Sequence, residues 1–211
     1  MPPEPTVAGS AIKLPDSAHT SRPWRIHEIA PDFRLEDVWA LPTPGGPDEF
    51  RRLVQQFASA SLSQNLPRPA RALVGLRGKL GKLFGWDRPD DRVNSKVPTL
   101  RNRLPDDLRN APAGLDFDFL PFTSLYLLTD EWAAETANRT MHGVMHLGWV
   151  PDGSGAYRGQ MAVLVKPNGR FGAVYMAVIR PFRHLIVYPA AMRRVEREWQ
   201  ARDDEATPAR A

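Results

Sequence analysis

The chain contains no cysteine. Disulfides, thiolate nucleophiles and cysteine-ligated metals are thereby excluded. Neither GxGxxG nor GxxxxGK[ST] occurs, so no phosphate-cradling loop can be read from the chain. No unbroken apolar run approaches the roughly 20 residues that span a bilayer, and no apolar h-region opens the sequence, so neither a transmembrane segment nor a secretory signal is expected. A cytoplasmic location fits the cysteine-free composition. The 28 Lys+Arg exceed the 24 Asp+Glu by only four, and no RNP-like or zinc-finger pattern accompanies that excess. A nucleic-acid partner is therefore not expected. Internal repeats are missing, and no Ser/His/Asp arrangement can be assigned from spacing. What remains is a chain of 211 residues, long enough for one domain with a substantial core.

The most informative stretch runs from Arg139 to Trp199. Residues 140–166 alternate with period two and read as a β-hairpin with a loop over Pro151–Gly155. Met141, Gly143, Met145, Leu147 and Trp149 share one face; Thr140, His142, Val144 and His146 share the other. That loop sets Trp149 against Tyr157 and Met145 against Met161. A long helix follows from near Gly169. Its apolar stripe is Phe171, Val174, Tyr175, Val178, Phe182, Leu185, Ile186 and Met192, with a kink expected at Pro181.

Upstream, residues 1–23 are Pro-, Ala-, Ser- and Thr-rich and read as disordered. Trp24–Ile29 reads as a short edge strand and Phe33–Leu41 as a strand closed by PTPGGP. A helix begins at Pro47 and buries Phe50, Leu53, Val54 and Phe57. A second, over 69–84, sets Gly75, Gly78, Gly81 and, at its end, Gly85 with Arg71 and Lys82 on one face, suited to close packing or to a basic, low-bulk surface for an anion or lipid headgroup. Residues 87–119 read as a long loop or lid with a helical turn at Pro105–Arg109. Phe122–Leu128 reads as a strand, and Thr129 as the cap of a short exposed helix carrying Glu131, Trp132 and Glu135. Residues 201–211 read as a disordered tail, leaving 24–200 as the domain.

His142 and His146 have a familiar ligand spacing, but on a strand their Cα atoms stand roughly 13 Å apart. They read as solvated or hydrogen-bonded histidines, and no metal or other cofactor is expected. Glu36 and Asp37 point to opposite faces of their strand. His184, with Arg180 and Arg183, lies on the outer helix face. The candidate pocket is apolar and aromatic: Tyr126, Met145, Trp149, Tyr157, Met161, Tyr175 and Phe182 could line a cavity with phenol groups as polar handles. Gly143 and Gly159 remove bulk from the same face.

The segments ARALVGLRGKLGKLFGW and NGRFGAVYMAVIRPFRHLIV, with Gly172, Tyr175, Pro181 and Phe182, and the strand pair His146-Leu147 carry a resemblance over about Pro69–Arg194. Together with the element order, the sequence resembles the α+β helix-grip fold of the START and polyketide-cyclase-like (SRPBCC) superfamily. More closely it is similar to an uncharacterised bacterial family found alone or appended to NmrA-like NAD(P)-binding domains. Many members place histidine directly after Pro-Phe; here Arg183 precedes His184. The resemblance implies a curved antiparallel sheet gripping a C-terminal helix over an apolar cavity, and a redox role would need a separate NAD(P)-binding partner protein. Three functions follow as expectations. The first is binding of an apolar or aromatic small molecule. The second is cyclase or isomerase chemistry with Tyr126, Tyr157 or Tyr175 as proton donor or oxyanion stabiliser. The third is docking through the Gly/Arg/Lys helix face.

Overall fold

The structure is a computed structural model that describes residues 11–59, 97–117, 121–138, 141–169, 172 and 188–206. Its centre is the hairpin. Strands β5 (Met141–Pro151) and β6 (Tyr157–Pro167) pair along their whole length, from Met141↔Pro167 to Pro151↔Tyr157. The loop is Asp152–Ala156, one residue later than the sequence suggests. Gly153 and Gly155 supply positive φ there, and the Asp152 carboxylate accepts from the backbone N–H and hydroxyl of Ser154. That single step moves the register by two: Trp149 faces Gly159 and Met145 faces Val163. Because side chains alternate with period two, every residue keeps its expected face.

Four more strands complete an antiparallel sheet. They are β1 (Ile12–Leu14), β2 (Arg34–Ala40), β3 (Thr123–Leu127) and β4 (Glu131–Ala137), in the order β1-β2-β6-β5-β4-β3. The fold is α+β, a six-stranded curved antiparallel sheet with a C-terminal helix, consistent with a helix-grip arrangement.

Strand β4 overturns an expectation. EWAAETA has helix-forming composition, yet it pairs with β3 and β5 and every one of its residues is buried. Tertiary pairing overrides an intrinsic preference of this size. Thr129 and Asp130 form the hairpin turn, closed by the Leu128 N–H on the Glu131 carbonyl, instead of capping a helix.

One face of the sheet carries α3 (Phe50–Ala58) and α5 (Tyr188–Ala206). Phe50, Leu53, Val54 and Phe57 pack as the sequence indicates, joined by Met192, Val195 and Trp199 over Trp39, Trp132, Leu147, Trp149 and Met161. The Trp199 and Trp149 indoles donate to the carbonyls of Pro44 and Gly46, and the Arg52 guanidinium lies 4.0 Å over the Trp199 ring. Gly159 does not leave space here. A Cβ on it would meet Leu53 Cδ2 at 2.7 Å and Leu41 Cδ1 at 2.9 Å, so the glycine admits α3 onto the sheet. Helix α5 continues past Trp199 to Ala206, into the expected tail.

The other face, expected to be the outer one, is also covered. Residues 11–33 cross it as a strap. Strand β1 pairs with β2, α1 (Ser17–Thr20) lies over β5 and β6, and α2 (Ile26–Ile29) lies over β4. Residues 11–23 are thus built into the fold, and Trp24–Ile29 forms a helical turn rather than an edge strand. Beside the strap lie a 3-10 turn (Leu100–Arg103) and α4 (Asp106–Arg109), whose Leu100, Leu104 and Leu108 are buried with Ile26 and Ile29. This part of the anticipated lid is core. Ion pairs Arg25–Asp107 and Arg103–Asp32 tie the two coverings together. The stripe Phe171–Ile186, with Tyr175, Phe182 and His184, and the glycine-bearing 69–84 stretch lie outside the described residues.

Candidate functional site

Two buried acid–histidine pairs occupy the strap-covered face. Glu131 and Glu135 are two turns of the pleat apart on β4, and His146 and His142 stand diagonally across on β5 (Ala133↔His146, Ala137↔His142). His146 Nε2 lies 3.1 Å from Glu131 Oε1, and His142 Nε2 lies 2.7 Å from Glu135 Oε2. The histidines are therefore hydrogen-bonded and buried, and each has its own carboxylate. Among the described residues no three His, Asp or Glu side chains gather to hold a metal ion.

Each carboxylate also receives the start of a helical turn. Glu131 accepts from the backbone N–H of Arg25 (2.9 Å) and Ile26 (3.0 Å), and from the Tyr126 hydroxyl (2.6 Å). Glu135 accepts from the Thr99 hydroxyl and the Leu100 N–H. The three backbone N–H groups would otherwise be orphaned at the starts of their turns, where a negative charge is also favoured. Burial alone would raise the Glu131 pKa. The His146 hydrogen bond and charge, with the Tyr126 and Arg25 bonds, overcome that and hold it below the ordinary value. Burial, reinforced by Glu131, pushes the Tyr126 phenol well above its ordinary value.

The chain of bonds continues into the strap. His146 Nδ1 lies 3.1 Å from His19 Nε2, with the rings edge to face. With His146 donating to Glu131, a neutral His146 must accept at Nδ1, so His19 donates from Nε2. Trp24 lies beside both rings and over Gly148, where a Cβ would meet its ring at 2.7 Å. Burial, then His146 and His27, drives the His19 pKa down to about 2.

Where the strap meets the end of the sheet, a cleft of about 650 Å³ opens. Trp24, Trp149 and Tyr157 supply aromatic surface, Glu131 lies at the buried end, and Arg22, Arg25, Asp48 and Asp130 supply charge at the walls. The expected pocket residues divide accordingly. Trp149 and Tyr157 line this cleft; Met161 is buried under α3 and α5, and Met145 is half-buried beside them. Tyr126 lies on the opposite face, bonded to Glu131. Tyr175 and Phe182 lie outside the described residues. Reading β4 as an exposed helix hid Glu131 and Glu135. The available signal was that Glu-x-x-x-Glu and His-x-x-x-His follow one another at the same spacing, as two paired strands require.

No helix among the described residues is long and apolar enough to cross a membrane. No curated protein and no solved structure matches the chain. A family model for a protein of unknown function, DUF2867, matches residues 29–190. The match takes in all four members of the acid–histidine pairs and leaves out most of the strap. It covers well over half of the sequence, and on that extent the chain belongs to the DUF2867 family, an uncharacterised domain.

Proposed function

We propose that this chain is a small-molecule-binding domain of helix-grip type, and that its ligand enters the cleft at the end of the sheet. The observation that carries the reading is the cleft's make-up: about 650 Å³, floored by Trp24 and Trp149, flanked by Tyr157 and edged by charged side chains. Sites for small organic molecules have this character, a mostly apolar concavity with a few polar groups that fix orientation. An apolar or aromatic body with one polar edge fits it. Cyclase or isomerase chemistry is less well supported. The buried acids and bases nearest the cleft are saturated by bonds within the fold: Glu131 takes four donors, and Tyr126 donates inward to it. A carboxylate whose pKa is held down by such bonds is a weak base.

The test is native mass spectrometry of protein purified without denaturant, together with fluorescence titration with 8-anilinonaphthalene-1-sulfonate. The expected result is a released small-molecule adduct and saturable dye binding. Both should be lost in Thr129→Trp, which places an indole at the cleft rim, while the melting temperature stays near wild type. No adduct, with equal dye response in both proteins, overturns the reading.

A further inference from the structure

From Pro15 to Pro23 the strap buries one side chain, His19. Leu14 before it and Trp24 after it are buried, and Ile26 and Ile29 fix α2 to the sheet. In between, Pro15, Asp16, Ser17, Thr20, Ser21 and Pro23 are exposed and Ala18 and Arg22 are half-buried. A segment with so little buried apolar surface opens locally at small cost. Its anchor is a titratable ring in a dry site. We propose that residues 15–23 form an acid-released clasp: protonation of His19 frees the segment from the sheet while α2 and the sheet stay folded, and so removes the Arg22–Pro23 wall of the cleft.

The groups around His19 make the site intolerant of a second proton. From β5 it meets His146 Nδ1 at 3.1 Å, and from α2 it meets the His27 ring with centroids 4.8 Å apart. Trp24 packs beside it, and β6 offers Gln160, whose amide donates to the Ala18 carbonyl. Asp16 begins the same turn but is exposed, and Glu28 on α2 is exposed and paired with Arg25. The nearest buried carboxylate is Glu131, already bonded to His146. A second ring N–H on His19, at Nδ1, would find no acceptor, and its charge would sit in a dry site with no acid facing it. The His19 pKa of about 2 in place, against an ordinary 6.5, agrees with that. Once solvated, the released ring titrates near 6.5. Below that pH the open population rises by up to about tenfold per pH unit.

The clasp itself does not rest on the binding reading; its effect on the cleft does. Hydrogen exchange on the unliganded protein tests the clasp alone. The amides of His19 and Ser21, bonded to the Asp16 and Ser17 carbonyls, should lose protection between pH 7 and 5 after correction for intrinsic rate. The loss should approach tenfold per unit, while amides of β5 and β6 hold theirs. In His19→Gln the amide can still donate to His146 Nδ1, and protection of residues 19–21 should become flat with pH. Unchanged protection in the wild type, equal acid loss in His19→Gln, or loss shared by β5 and β6 overturns the proposal. If His19→Gln does not fold, the wild-type imidazole is followed by NMR. A His19 that titrates with no matching change in exchange overturns it equally. Dye binding in the cleft should then weaken over the same pH range. If the clasp opens and dye binding is unaffected, the cleft reading fails and the clasp stands.

Discussion

Replacing Glu131 by alanine should be among the most damaging single changes outside the tryptophans. The substitution leaves four donors without an acceptor: the Arg25 and Ile26 backbone N–H groups, the Tyr126 hydroxyl and His146 Nε2. A buried donor left unpaired costs about 1–3 kcal/mol. Four would give several kcal/mol, reduced because the alanine form no longer buries a charge and because Arg25 is only half-buried. Breaking a buried pair by removing one partner costs about 3–5 kcal/mol in general, and that is the expected range here. It is a large fraction of a typical total of about 5–15 kcal/mol. Glu131→Gln separates shape from charge. Its carbonyl can replace Oε1, which takes three of the bonds, but its NH2 then faces the Arg25 N–H, donor to donor. About 1–3 kcal/mol is expected for that variant. Urea denaturation followed by circular dichroism measures both, with the slope m as a check that the unfolding unit is unchanged. An alanine variant within about 1 kcal/mol of wild type, or a glutamine variant as damaged as alanine, would refute the reasoning.

Gly148→Ala should displace Trp24, since its Cβ would sit 2.7 Å from the ring; a cost of about 1–3 kcal/mol and a shifted tryptophan emission are expected, and a wild-type melt would contradict the packing. Leu147→Asp, fully buried under α3 and α5, should unfold the protein, whereas Met145→Asp on the same face is half-buried and should lower the melting temperature less; the reverse order would overturn the face assignment. The folded-state pKa of Glu131 lies below its ordinary 4.5, so its contribution is present above pH 4.5 and fades as pH falls through the folded value. Denaturation midpoints between pH 6 and 3 should therefore fall more steeply in wild type than in Glu131→Gln, and parallel profiles would count against it. In a double-mutant cycle of His142→Leu with Glu135→Leu, the two costs should fall short of additivity by about 1–3 kcal/mol; simple additivity would mean that the 2.7 Å bond couples nothing.

The hairpin, β2, β3 and α3 are legible because each writes its period into apolar residues. Phe50, Leu53, Val54 and Phe57 repeat at helical spacing, and Met145, Leu147 and Trp149 alternate with histidines and Val144. The alternation was right about faces and misleading about water. Val144, His142 and His146 read as an outer face only because two of the three are polar, yet they are buried under a strap whose own sequence has no period. What makes that face habitable is not in either strand alone. His146 is tolerable because Glu131 stands diagonally opposite, and Glu131 because α2 and Tyr126 turn three further donors toward it. Glu135, His142, Thr99 and Leu100 repeat the arrangement one step along. A helix-forming composition conceals β4, and with it both acids, so the two histidines read as solvated or hydrogen-bonded with no partner to name. The strap was missed for a related reason. Its hold on the sheet comes from β1 pairing, one imidazole, one indole over Gly148, two backbone N–H groups and the apolar side chains Leu14, Ile26 and Ile29, too few to write a period into the sequence. Pairing of polar residues across strands is set by register, and a register shifted by two keeps every face while changing every partner. The acid–histidine pairs therefore become visible only when β4 is a strand and its register against β5 is known.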